Sequence, residues 1–214
     1  YEMDEWGVDV TVSASQKGLM TPPGLGLVWA NDRAIAAHER ADARVGYFDW
    51  SSRRNVEAHY QLYNGTPPIP LLYGLREALD ILAEEGLENA WARHETLARA
   101  VWTAVDAWHT PDGLRCTIDD PTARSHAVTT IETGGTDATA IRSICEEEMG
   151  LTLGLGIGSD SARFRIGHMG HLNPPMLLGT LGTVESALHS LGAPMGRSGV
   201  AAAARAIGDS ITAP

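Results

Sequence analysis

Between Leu72 and Trp108 the apolar residues fall at helical spacing: Leu75, Leu79 and Leu82, then Trp91, Leu97, Val101 and Val105. Gly86 interrupts the run, so the spacing predicts two helices meeting at that glycine. Around this long helical stretch lie short strand patterns. Val8-Asp9-Val10-Thr11-Val12 alternates apolar and polar residues with β-branched side chains, which predicts a strand over 8–13. Leu25 to Ala30 is a short apolar run, also strand-like, and segments 114–118, 126–132, Leu151–Leu155 and Arg163–Ile166 read the same way. Further helices are predicted from about Arg33 to Ala43 behind an Asn31-Asp32 cap, from about Asp137 to Met149, and over Pro174–Leu191 with proline in the first turn. The alanine run 201–204 predicts a last helix. Residues 46–70 read as irregular. Helices and strands mixed in this way restrict the chain to an α/β or α+β fold.

Of the 214 residues, 43% are hydrophobic and 20% charged, a composition that excludes disorder. The net charge of −11 argues against a nucleic-acid backbone or an anionic membrane as partner. No apolar run is long enough for a spanning helix. Cys116 and Cys145 are too few for a disulfide scaffold or a cysteine-rich zinc site, and two spare thiols fit a cytoplasmic protein. A strand predicted almost at Tyr1 gives the expectation that the chain is a fragment of a longer one.

The sixteen basic residues are fifteen arginines and a single lysine, Lys17. Arginine stays charged and cannot act as a nucleophilic amine, whereas lysine can lose its proton when desolvated. Lys17 is therefore either a chance survivor or a position that arginine cannot fill. It lies in Ser13-Ala14-Ser15-Gln16-Lys17-Gly18, between two predicted strands and ahead of the rigid turn Pro22-Pro23-Gly24. A lysine fixed at a strand end among small residues suits Schiff-base chemistry.

Three ordered stretches carry a resemblance. Ser15-Gln16-Lys17-Gly18-Leu19-Met20-Thr21-Pro22-Pro23-Gly24 is similar to the lysine segment of class V aminotransferases, in particular their alanine–glyoxylate, serine–glyoxylate and pyridoxamine–pyruvate branch. Tyr63-Asn64-Gly65-Thr66-Pro67-Pro68, with the following Leu72–Leu79 segment, resembles the family's Tyr-x-x-Thr-Pro stretch. Arg165-Ile166-Gly167-His168-Met169-Gly170 resembles its substrate-arginine motif, and Glu85-Gly86-Leu87-Glu88, with Trp91, Arg93 and His94, its helix join.

The resemblance implies a fold type I pyridoxal 5′-phosphate enzyme, with residues 1–85 as the end of the large domain, 86–191 as a small α+β domain and 192–214 as a helical tail. It implies that Lys17 bonds the cofactor and then moves the substrate proton, and that Gln16 serves the phosphate region. Tyr63 and Thr66 would reach the phosphate held by a neighbouring subunit of a homodimer with shared sites. Arg165 would take the substrate α-carboxylate, a task suited to a planar two-pronged cation. The substrates implied are small amino acids and 2-oxo acids such as glyoxylate or pyruvate, with pyridoxamine as an alternative donor. The family's ring-binding Asp lies far upstream of the lysine, so neither Asp4 nor Asp9 is assigned that role. An incomplete, non-catalytic subunit is the competing reading.

Other constellations weigh less. His168 and His171 could pair on a metal, but Gly167 and Gly170 make the segment a turn and no third ligand stands out. Gly154-x-Gly156-x-Gly158 lacks the helix that a dinucleotide site needs. Trp91, Trp102 and Trp108 are expected in a helix core, and both cysteines as small core residues. Arg163, beside Arg165, is either structural or a bias on the same pocket.

Overall fold

The structure is a computed structural model that describes residues 1–42, 45–54, 56–156, 158 and 161–212. The chain divides into two units, Tyr1–Glu84 and Glu85–Pro214.

In the first unit, β1 (Val10–Ala14) pairs antiparallel with β2 (Gly26–Ala30), placing Val10 opposite Ala30 and Val12 opposite Val28. Helix α1 (Asp32–Arg40) starts where the Asn31 carboxamide oxygen accepts the Ala34 N–H, satisfying one of the first-turn donors. The helix stops at Arg40, short of the expected end at Ala43, which lies outside the described residues. Asp9 ties this start to the hairpin: its carboxylate accepts from Asn31 Nδ2 at 2.8 Å and Arg33 Nε at 2.7 Å. Those bonds hold its carboxyl below the usual carboxylate range. The segment expected to be irregular contains two 3₁₀ turns and a short helix, α2 (His59–Tyr63), ended by Asn64 in the left-handed conformation. Helix α3 (Ile69–Glu85) follows, and Gly86, at φ 82, breaks it from α4 (Leu87–Trp108).

The second unit contains the core. Its antiparallel sheet has the order β3-β4-β6-β5, with β3 at Arg115–Cys116, β4 at Val128–Glu132, β5 at Gly154–Leu155 and β6 at Arg163–Gly167. Strand alternation sends Thr129, Ile131, Phe164 and Ile166 inward and leaves Thr130, Glu132, Arg163 and Arg165 on the other face. Ile131, Phe164 and Ile166 share one apolar cluster with Leu97, Val101, Val105 and Trp108 of α4. Helix α5 (Ala138–Ser143), capped by Asp137, runs into a single π turn over Ile144–Glu148. Helices α6 (Pro174–Ser190) and α7 (Gly199–Thr212) complete the cluster through Leu177, Leu181, Leu188, Ala203 and Ile207. The last helix is thus part of the core rather than a tail appended to it. Gly199 permits its close approach: a Cβ there would lie 2.5 Å from the Trp108 ring.

Trp102, Trp108 and both cysteines are buried as expected, and burial pushes each thiol up to about 11. Trp91 is not: it is 60% exposed. It lies in the second turn of α4, ahead of the cluster that begins at Leu97, so periodicity marks its face but not the reach of the core.

Candidate functional site

Lys17 stands exposed in the loop that links β1 to β2, and no acidic group among the described residues pairs with it. Its neighbour Ser15 is fully buried and fastens the loop. The Ser15 N–H donates to the Leu25 carbonyl at 3.2 Å, and the Ser15 carbonyl accepts from Thr21 through N–H and hydroxyl, at 3.1 and 2.9 Å. Met20 adopts a left-handed φ of 61° and donates its N–H to the Lys17 carbonyl. The chain therefore turns tightly around the lysine, with the small buried serine as its root.

The Pro22-Pro23-Gly24 turn joins this loop to the second predicted segment. Gly24 has φ 148°, and a Cβ there would fall 2.5 Å from Leu71 Cδ1 in the first turn of α3. Glycine is favoured by this conformation, and a Cβ here would make the Leu71 side chain shift. Immediately before α3 lie the half-buried Tyr63 and the exposed Thr66, followed by Pro67-Pro68. The first N–H groups of α3 are taken within this turn, Ile69 donating to the Pro67 carbonyl at 2.9 Å and Leu71 and Leu72 to that of Pro68 at 3.0 and 3.1 Å. The first unit thus brings the lysine loop against the helix that follows Tyr63 and Thr66.

In the second unit, Arg165 is the middle residue of β6, opposite Thr130 on one side and Gly154 on the other. Its Nε donates to the Leu155 carbonyl at 2.6 Å, and no carboxylate pairs with it among the described residues. Arg163 differs: its Nη2 lies 2.9 Å from Glu132, a carboxylate that also holds Arg115. Glu132 therefore holds Arg163 in the structure, whereas no carboxylate among the described residues holds Arg165. Glu132 is the residue that sorts the two, and only its register opposite Arg163 reveals this.

The turn after Arg165 is held from two sides. His168 is fully buried: its Nδ1 donates to the His126 carbonyl at 3.1 Å, and its Nε2 accepts from the Thr129 hydroxyl at 2.9 Å. That hydroxyl in turn accepts from Trp102 Nε1. Because a carbonyl can only accept, the ring is the neutral Nδ1–H form, and burial pushes its pKa down to about 4. With both nitrogens engaged, His168 has no lone pair for a metal. Gly170 is gripped by the start of α4: its N–H donates to His94 Nε2 at 2.9 Å, and its carbonyl accepts from Arg93 at 2.7 Å. Arg93 also binds the Leu172 carbonyl and forms a two-pronged ion pair with Glu85 at 2.6 and 2.7 Å. That pair holds the Glu85 carboxyl below its ordinary value. The sequence marks Arg93 and His94 as part of a helix join but does not show that they grip this turn.

The family model for aminotransferase class-V matches residues 1–170. The chain belongs to the class V aminotransferases. It is 41% identical over 207 residues to a serine–glyoxylate aminotransferase of Arabidopsis thaliana, covering 95% of this chain and 50% of that protein. To the serine–glyoxylate aminotransferase of Methylorubrum extorquens it is 43% identical over 213 residues, covering 95% and 51%. The crystal structure of pyridoxamine–pyruvate aminotransferase from Mesorhizobium loti superposes with a TM-score of 0.85 at 26% identity, over 97% of this chain and 53% of that one. This class V aminotransferase chain thus spans about half the length of the relatives it matches, and its architecture is that of the fold type I aminotransferases. Among its described residues no helix is long and apolar enough to cross a membrane.

Proposed function

We propose that this chain serves a transaminase moving an amino group from a small amino donor to a 2-oxo acid such as glyoxylate or pyruvate, with pyridoxal 5′-phosphate as cofactor. One observation carries the reading: the only lysine stands exposed on a loop whose Pro-Pro-Gly turn abuts the helix following Tyr63 and Thr66. A phosphorylated aldehyde needs both an amine and an anion-binding rim; Lys17 would supply the first, and Gln16 together with Tyr63 and Thr66 of a second copy the other. Lys17 would hold the cofactor covalently and, once displaced by substrate, carry the proton from the substrate's α-carbon. The Gln16 carboxamide would donate toward the phosphate. Tyr63 and Thr66 would reach the phosphate in a second copy of the chain, making the active form a homodimer with shared sites. Arg165 would take the α-carboxylate common to donor and acceptor. When bound, the cofactor supplies the electron sink that makes the α-proton acidic. The named relatives act on glyoxylate or pyruvate, which supports a 2-oxo acid acceptor.

Borohydride reduction of the full-length enzyme should bleach its visible absorption and leave the label on Lys17. Lys17→Ala and Lys17→Arg should each lower transamination by roughly 10³-fold or more, since neither supplies a titratable amine. Near-normal turnover in either variant, with serine, alanine or pyridoxamine as donor, would overturn the proposal.

A further inference from the structure

Gly154 opens a glycine-rich stretch in which no helix starts among the described residues before β6, the helix that a dinucleotide site needs. The sheet register gives the residue another role. Gly154 lies directly opposite Arg165 across the β5–β6 pair. Side chains at opposed antiparallel positions ordinarily keep their Cβ atoms about 4.5–5.5 Å apart. Here a Cβ on Gly154 would fall 3.1 Å from Arg165 Cβ, 3.4 Å from its Nε and 3.4 Å from its carbonyl oxygen. The arginine occupies the space that a side chain at 154 would fill. From there its Nε donates to the carbonyl of the next residue, Leu155.

We propose that Gly154 is a positioning residue for Arg165, and that the Leu155 carbonyl fixes which edge of the guanidinium is offered to substrate. The inference rests on the reading of Arg165 as the carboxylate-binding residue. A guanidinium can bind a carboxylate side-on, through Nε and one terminal nitrogen, or end-on, through both terminal nitrogens. With Nε committed to Leu155, the end-on edge remains. A Cβ at 154 presses on Arg165 Cβ and Nε, so the side chain must give by a few tenths of an ångström and its Nε shifts against that carbonyl. Because the backbone bears both constraints, Arg165 is held without an acidic partner among the described residues.

The test uses the full-length holoenzyme and propionate, a carboxylate that cannot react. Arg165→Ala, Gly154→Ala and the double variant are titrated by calorimetry. Gly154→Ala should weaken propionate by roughly tenfold, the scale of a misaligned charge-assisted hydrogen bond, while the cofactor spectrum stays that of the parent. In the Arg165→Ala background the glycine change should add nothing, because no arginine is left to position. Unchanged propionate affinity in Gly154→Ala, or an equal loss in both backgrounds, overturns the role of Gly154 and leaves that of Arg165 intact. Unchanged affinity in Arg165→Ala overturns the Arg165 reading and the inference with it. Should Gly154→Ala fail to fold, hydrogen exchange at the arginine Nε–H groups of the unmodified 214-residue chain decides. Arg165 should be protected; exchange as fast as at the exposed Arg205 would overturn the proposal.

Discussion

His168 sits in the motif that begins at Arg165, yet its work is in the core. The native chain keeps the ring neutral, with its pKa pushed down to about 4 by burial, whereas in the unfolded chain it returns to the ordinary value near 6.5. Above about pH 6.5 neither state takes the proton, and stability is full. As pH falls from about 6.5 toward 4 the unfolded state binds a proton that the native state refuses, so stability declines and then levels off. The gap corresponds to about 3 kcal/mol at most. Urea unfolding of the chain from pH 8 to 4 should show this decline, and His168→Gln should flatten it by up to one proton; parallel profiles would show that His168 does not titrate in this window. At this scale the sequence was partly legible. The motif singled out Arg165, but Arg163 two residues away could be sorted from it only by knowing that Glu132 stands opposite, a fact of register that composition and spacing do not contain.

Elements with strong local signals follow their sequence closely. The break at Gly86, the Asn31 cap and the proline start of α6 are each written in one or two residues, because a left-handed glycine, a capping carboxamide and a missing N–H act locally. Elements made by pairing are less legible. The stretches expected as strands at 114–118 and 151–155 keep only two ladder-paired residues each, although the neighbouring β4 and β6 run for five, a difference that alternation alone does not contain. The helix expected over 137–149 ends in a π turn, and the short α2 lies in a stretch too rich in turn residues to show helical period. The start of α7 is set from outside its own sequence. Glu185, on α6, accepts from Trp108 Nε1 at 2.8 Å and from the Gly199 and Val200 N–H groups at 2.8 and 3.1 Å. Burial pushes its carboxyl upward, but hydrogen bonds from Trp108, Ser198, Val200 and Gly199 outweigh this and leave it below its ordinary value. Glu185→Ala should cost about 2–4 kcal/mol, since it strips the acceptor from four donors at once. Glu185→Gln should cost less, and its deficit should shrink as pH falls below about 4.5, where the native carboxylate loses its advantage. Denaturant midpoints at pH 7 and pH 4 measure both; a Gln deficit that does not change with pH would remove the charge from this account.

For the molecule as a whole, the two units are unequally provided with core. The second encloses its own cluster around Trp108, Phe164 and Leu181, all fully buried. The first has a two-stranded sheet, an arrangement that is marginal in water without cover for one face. The register places Val12 directly opposite Val28, with Val10 and Ala30 beside them, and leaves Val12 72% and Val28 53% exposed. Two valines in cross-strand contact and open to solvent form an adhesive strip beside unpaired strand edges. The 214-residue chain on its own should therefore self-associate through this hairpin. Val12→Lys combined with Val28→Glu replaces the apolar pair by opposite charges at facing positions, which keeps an attraction across the strands while removing the strip. Sedimentation or light scattering over a concentration series should show association in the parent and its marked reduction in the double variant. The unfolding midpoint of the second unit should not move, because neither residue belongs to its cluster. Undiminished association in the double variant would assign the adhesive surface elsewhere, the next candidates being the exposed Tyr73 and Leu79 of α3.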